Sequence, residues 1–227
     1  MAVRARQRIE AALSGLLLAL VAGCAGGPPQ PAWQADARAA LDAALAAHLA
    51  GETRAEAPAM ERARAALARS GRTDLLARAE LMRCAARVAS LEFGPCAAFE
   101  ALRGEAGAAE LAYAEHLAGR ALPAERLALL PEAQRGVAAA LAGARITRDT
   151  LAGIEDPASR LIAIAVLFEA GLADPALIAL AADTASAQGW RRPLLAWLKV
   201  QQRLAVQAGD TALAQRLQQR IGLVEGS

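Results

Sequence analysis

"TDLLARAELMRCAARVASLEF", Thr73 to Phe93, decides the fold class. Leu75, Ala79, Met82, Ala86, Ala89 and Phe93 recur at spacings of four and three, and Leu81, Cys84, Val88 and Leu91 form a second stripe. Residues three and four apart share one face of a helix. Two apolar stripes on one helix mean cover on more than one side, so this segment is expected to be a central helix.

The rest of the chain agrees with that reading. Alanine and leucine dominate, and aromatic residues make up only 3% of the 227 residues. Alanine and leucine favour helices, whereas strands select β-branched and aromatic side chains. No stretch alternates apolar and polar residues for long. The class is all-α, and about 200 residues suit one domain.

Glycine and proline divide the chain into helix-length segments. Helices are expected at Trp33–Ala50, Glu56–Ser70, Asp74–Glu92, Cys96–Arg103, Ala106–Ala118, Pro123–Leu130, Pro131–Ala142, Asp149–Ile154, Pro157–Ala170, Pro175–Gln188, Pro193–Ala208 and Thr211–Ile221. "SGRTDLL" stops one helix at Gly71 and caps the next with Thr73 or Asp74. "EDPASRL", "LADPALI" and "RRPLL" each offer proline for a first helical position, where its missing N–H costs no hydrogen bond.

"AHLAG" (47–51) and "EHLAG" (115–119) are near-copies 68 residues apart, twice a 34-residue helical-repeat period. "AGLADPAL" and "AGDTAL" repeat a turn near the C-terminus. The last stretch, "AWLKVQQRLAVQAGDTALAQRLQQR", resembles a tetratricopeptide unit, with Trp197, Leu204 and Gly209 near that family's tryptophan, large apolar residue and turn glycine. Gln201 departs from the family's glycine, and the spacing differs by one. The resemblance implies a stack of helical hairpins. The alternative is an irregular helical bundle.

The beginning of the chain carries a different signal. Arg4, Arg6 and Arg8 precede an apolar run from Ala11 to Ala22 that ends at Cys24, the layout of a secretory signal. The run is shorter than the roughly 20 residues needed to cross a bilayer. Val21-Ala22-Gly23-Cys24 resembles the lipobox of bacterial lipoproteins. That resemblance implies cleavage after residue 23 and acylation of Cys24 with palmitate-type chains. It also implies residence in the envelope, with Ala25 favouring the outer membrane facing the periplasm. Residues 24–32 then form a lipidated linker rich in glycine and proline, and 33–227 the helical domain. At ~3.3 Å per residue the linker spans about 25–30 Å, so the domain is expected close to its membrane.

Loss of residues 1–23 removes three arginines and Glu10, leaving 22 basic and 22 acidic residues. No basic surplus remains to suggest nucleic-acid binding. Cys84 and Cys96 are the other two cysteines. In an oxidising compartment an even pair reads first as a disulfide, and otherwise as two buried thiols. A metal centre would need further ligands, and His48 and His116 lie far away in sequence.

Chemistry-bearing motifs are scarce. The chain has no G-x-S-x-G elbow, no H-E-x-x-H and no dinucleotide fingerprint. Both histidines fall at helix ends, where a partly charged imidazole is favoured. Glu80 has helix-face spacing to Arg83 and roughly to Arg87, and Glu110, Tyr113 and Glu115 read as a solvated face with Tyr113 half-buried. In "QGWRRPLLAW" the group Trp190, Arg191 and Arg192 has the composition of interface hot spots and is the candidate partner-binding patch, while Trp197 is expected in the core. No catalytic residue, metal site or cofactor is expected. The function expected is a membrane-tethered, non-enzymatic scaffold for an envelope protein partner. The alternatives are a helical carrier of a small or lipidic ligand and, with less support, a peptidoglycan-acting enzyme.

Overall fold

A computed structural model describes residues 31–226. The lipobox, Cys24 and most of the linker lie outside the described residues. The described chain is helical throughout, without strands. In order it forms α1 (Ala32–Ala50), α2 (Thr53–Ala68), α3 (Thr73–Ala89), α4 (Ala97–Glu100), a 3₁₀ turn at Arg103–Glu105, and α5 (Ala108–Leu117). There follow α6 (Ala124–Leu127), α7 (Glu132–Leu141), α8 (Arg148–Ala152), α9 (Pro157–Glu169), α10 (Pro175–Ala187), α11 (Arg191–Gln207) and α12 (Thr211–Glu225). No described helix is long and apolar enough to cross a membrane.

Local chemistry explains the best-defined starts. Asp156 accepts from the Ser159 N–H at 2.7 Å and Asp174 from the Leu177 N–H at 2.8 Å. Each is an N-cap followed directly by proline. Asp210 caps α12 in the same way through the Leu213 N–H. α11 is different. It starts at Arg191, so Pro193 is its third residue rather than its first. That position still belongs to the opening turn, whose N–H groups lack intrahelical partners. The α3 cap also differs from expectation: Arg72 holds it, and its guanidinium binds Asp74 at 2.6 and 2.8 Å.

The core has two main regions. In the α1–α2 hairpin, Ala37, Ala44, Ala59, Ala63 and Ala66 meet with Leu41, Met60 and Leu67. Small residues at such a seam allow two helices to approach at the short end of the usual 8–10 Å spacing. The larger core centres on α9, where Leu161 through Leu167 are all buried. Helix α9 touches α3, α5, α7, α8 and α10. A helix that is apolar all round belongs in the middle, and "LIAIAVL" makes α9 the innermost element. Helix α3 buries Leu81, Cys84 and Val88 of one stripe and Ala79, Ala86 and Ala89 of the other, but Met82 of the latter is 40% exposed.

Hairpins at the two ends stack against this centre, within the pair of architectures the sequence allows. One contact goes beyond neighbour stacking: α11 packs on α1, whereas the units of a linear repeat array touch only adjacent units. The N-terminal and C-terminal parts are thereby joined.

Candidate functional site

The repeated "HLAG" stretches are one structural device used twice. Gly51 and Gly119 both take a left-handed conformation, with φ of 78° and 68°, the geometry that ends helices and suits glycine. Their N–H groups donate to the carbonyls of His48 and His116 at 3.0 and 2.9 Å. Each histidine sits in the last helical turn, as the sequence suggests, but both rings are buried.

At the first copy, His48 Nδ1 lies 3.1 Å from Glu56 Oε2 on α2. Its Nε2 has no hydrogen-bond partner among the described residues and lies 4.0 Å from Glu92. Burial lowers the His48 pKa, opposed by Glu56 and Glu92 and helped by Arg192. Burial pushes the Glu56 carboxyl up, yet His48 and Arg83 hold it below the usual range. We read a neutral His48 whose Nδ1–H donates to an ionised Glu56. The electrostatic support for that carboxylate is the Arg83 guanidinium at 3.4 Å and Arg192 at 3.7 Å.

Arg192 completes the group. Its Nε donates to the His48 carbonyl at 2.7 Å, Nη1 to Glu92 at 3.1 Å and Nη2 to Thr53 Oγ1 at 3.1 Å. Arg191 Nη2 donates to the Gly51 carbonyl at 3.3 Å. A Cβ on Gly51 would come within 3.2 Å of the Arg191 guanidinium, so both backbone geometry and close approach require glycine there. Trp190 is half-buried against the main core. The candidate partner-binding patch is half-buried, and its two arginines bind the end of α1, the negative pole of that helix.

Glu80 also departs from expectation. It is buried, and its partner is Arg64 of α2 at 2.5 Å rather than an arginine of its own helix. Arg83 and Arg87 turn to Glu56 and Glu92 instead. Helix-face spacing identifies neighbours on one helix but says nothing of a packed second helix.

Cys84 and Cys96 form a disulfide with Cα atoms 5.8 Å apart, inside the range such bonds adopt. The chain leaves α3, turns through Leu91 and Gly94, which both have positive φ, and returns along the helix. The bond borders an open cavity of about 360 Å³ with Phe93, Leu117 and Arg120 in its wall.

At the second histidine, Gln134 Nε2 donates to the Ser159 carbonyl at 2.9 Å, which leaves Gln134 Oε1 to accept from His116 Nε2 at 3.0 Å. His116 is 0% exposed, and burial lowers its pKa, with Gln134 opposing. Tyr113 is half-buried, stacks on the His116 ring at 6.2 Å and has its hydroxyl pKa raised by burial and then by Asp156. The ring is a structural link between α5 and α7. It is not the charged helix-end group that the sequence suggested.

An apolar opening lies between α1 and α3. Trp33, Leu41, Leu67, Leu75 and Met82 line a groove of about 280 Å³ with Arg38 and Arg78 at its edges. Sequence reading missed it because Met82 and Leu75 fit a core stripe equally well. Among the described residues no group of three or more His, Cys, Asp or Glu is placed to hold a metal ion. No family model matches the chain, and no curated protein or solved structure matches it.

Proposed function

We propose that this protein is an envelope lipoprotein, tethered through Cys24, whose helical domain serves as a non-enzymatic docking platform. The observation that carries the reading is the clamp from Arg192 to the end of α1. It joins the hairpin next to the tether to the C-terminal helices, so a load on one end is transmitted to the other. The openings around this frame are grooves and shallow cavities on its outside, which suits docking better than enclosure of a small molecule. The buried ionisable groups support the same reading, since Glu56, Glu80, His48 and His116 are each engaged by another helix. The outer membrane, periplasmic face, is the proposed location, and a protein of the envelope the proposed partner.

The test is metabolic labelling with an alkyne fatty acid, with Cys24→Ala as the comparison. Labelled, membrane-fractionating wild type and unlabelled, unprocessed Cys24→Ala protein are expected. Normal processing and membrane fractionation of Cys24→Ala would remove the lipoprotein reading. Photo-crosslinking from the α1–α3 face in intact cells would then identify what docks there.

A further inference from the structure

Gly51, Gly119, Gly143, Gly171, Gly189 and Gly209 end their helices with one turn: φ is positive, and the glycine and its successor both donate N–H groups back to the last carbonyls. Helix α3 ends with the same two bonds, from Leu91 to Val88 and from Glu92 to Arg87, both at 2.9 Å. Here the left-handed residue is a leucine, with φ of 59°. A Cβ in that conformation crowds the following carbonyl, which is why glycine is usual there. Two things hold the turn against that strain. Leu91 packs on the main core, and Cys96, just beyond the turn, is bonded to Cys84 of the same helix.

The same turn supplies a partner to the clamp. Glu92 Oε1 accepts from Arg192 Nη1 at 3.1 Å, and Glu92 Oε2 accepts from Arg87 Nε at 3.4 Å. Arg192 also holds the His48 carbonyl and Thr53. Glu92 thus lies between the strained residue and the disulfide, and it binds the side chain that joins α11 to α1. The disulfide itself is open to attack. Cys84 is buried, but Cys96 is only half-buried. Besides the larger cavity, the bond borders a second opening of about 230 Å³ beside Arg83, Arg87 and Phe99.

We propose that Cys84–Cys96 is a redox latch: its reduction by a dithiol frees Leu91 to leave the left-handed turn, draws Glu92 off Arg192 and loosens the junction of α11 with α1. One thiolate of the dithiol attacks Cys96 Sγ and forms a mixed disulfide. The electron pair of the broken S–S bond leaves on Cys84 Sγ, which takes up a proton. The second thiolate then displaces Cys96 Sγ, which is protonated in turn, and the dithiol departs as a disulfide. The latch requires nothing of Cys24, so it stands or falls apart from the lipoprotein reading.

The experiment is amide hydrogen exchange of the full chain in detergent, oxidised and after reduction with dithiothreitol. The reporters are Gly51, Glu52, Ala55 and Glu56, whose N–H groups are bonded at the junction of α1 and α2. Amides of α9 report the stability that the whole fold loses with the disulfide, and every change is read relative to them. In the wild type, reduction should speed exchange of the reporters about tenfold, the scale of one lost hydrogen bond between charged groups. Glu92→Ala cuts the link at a partly exposed side chain. Its reporters should exchange faster from the start, and reduction should then speed only residues 91–96. Leu91→Gly relieves the turn and leaves the sulfurs alone, so its reduced form should keep the reporters slow. Cys84→Ser with Cys96→Ser should match the reduced wild type and ignore dithiothreitol. Unchanged reporters in the reduced wild type, or an equal rise in Glu92→Ala, overturn the proposal. So does a reduced Leu91→Gly chain that loosens as the wild type does, since strain at Leu91 would then not drive the opening.

Discussion

The Arg192 guanidinium meets the carbonyl oxygen of His48 at 2.7 Å across 144 residues of chain. One side chain thereby caps the C-terminal pole of α1 and binds Thr53 and Glu92 as well. Charged hydrogen bonds of this kind contribute about 1.5–3 kcal/mol each before solvent screening. Arg192 is partly exposed, so the group is discounted to a total near 2–3 kcal/mol. Arg192→Ala should lose about that much in urea unfolding and raise amide exchange in α1 and α2. Arg192→Lys should recover little, because an ammonium cannot address three acceptors in a planar fork. Wild-type stability in Arg192→Ala would show that the clamp carries no load.

Stability should fall as pH drops through the histidine range. His48 and His116 both have pKa values lowered by burial. Between the unfolded value near 6.5 and the lower folded value, only the unfolded chain binds the proton. Stability therefore rises with pH across that window and is lost as pH falls. Glu56, also lowered, adds a further loss below the usual carboxylate range. Unfolding at pH of about 7.5 and 5 should show the drop. His116→Gln should flatten it, since glutamine can keep the bond to Gln134 without titrating. An identical slope in that variant would exclude His116 as a contributor.

Much of the scaffold was legible because its determinants are local. Asp156-Pro157 and Asp174-Pro175 announce caps within three residues, and the "HLAG" copies announce two helix ends. The central place of α3 was legible in its two stripes, and it packs on α1, α2, α4, α5 and α9; the still deeper burial of α9 was not, because periodicity cannot classify the plain run "LIAIAVL". The clamp and the Arg64–Glu80 pair were not legible at all. They depend on which helices come together, and an arginine's partner across 144 residues leaves no trace in spacing. Met82 shows the same limit in reverse, since a stripe marks an apolar face without saying what covers it.

The Cys84–Cys96 bond should contribute about 3 kcal/mol. It closes a loop with sequence separation of 12, near the 15-residue case of the loop-entropy relation. Cys84→Ala with Cys96→Ala should lower stability by about that amount and make the 91–96 corner more sensitive to protease. Alkylation of the native, non-reduced protein should label neither sulfur. Two labelled thiols would show that the pair is open in the cell.

Trp197 and Trp190 should behave as core and edge of the same helix start. Trp197 is 0% exposed, donates Nε1–H to the Ala89 carbonyl at 3.3 Å and meets Phe168 edge-on at 5.5 Å. Its replacement by alanine opens a cavity between α3, α9 and α11, a change that costs about 3–5 kcal/mol in other cores. Trp197→Phe keeps much of the volume but leaves the last carbonyl of α3 without that donor, for about 1–2 kcal/mol. Trp190 is only half-buried and precedes α11 without a side-chain cap, so Trp190→Ala should cost clearly less than Trp197→Ala. Thermal and urea melts of the three variants settle the order. If Trp190→Ala proves as damaging as Trp197→Ala, the turn before α11 belongs to the core, and the residues beside it hold the fold together before they could serve any partner.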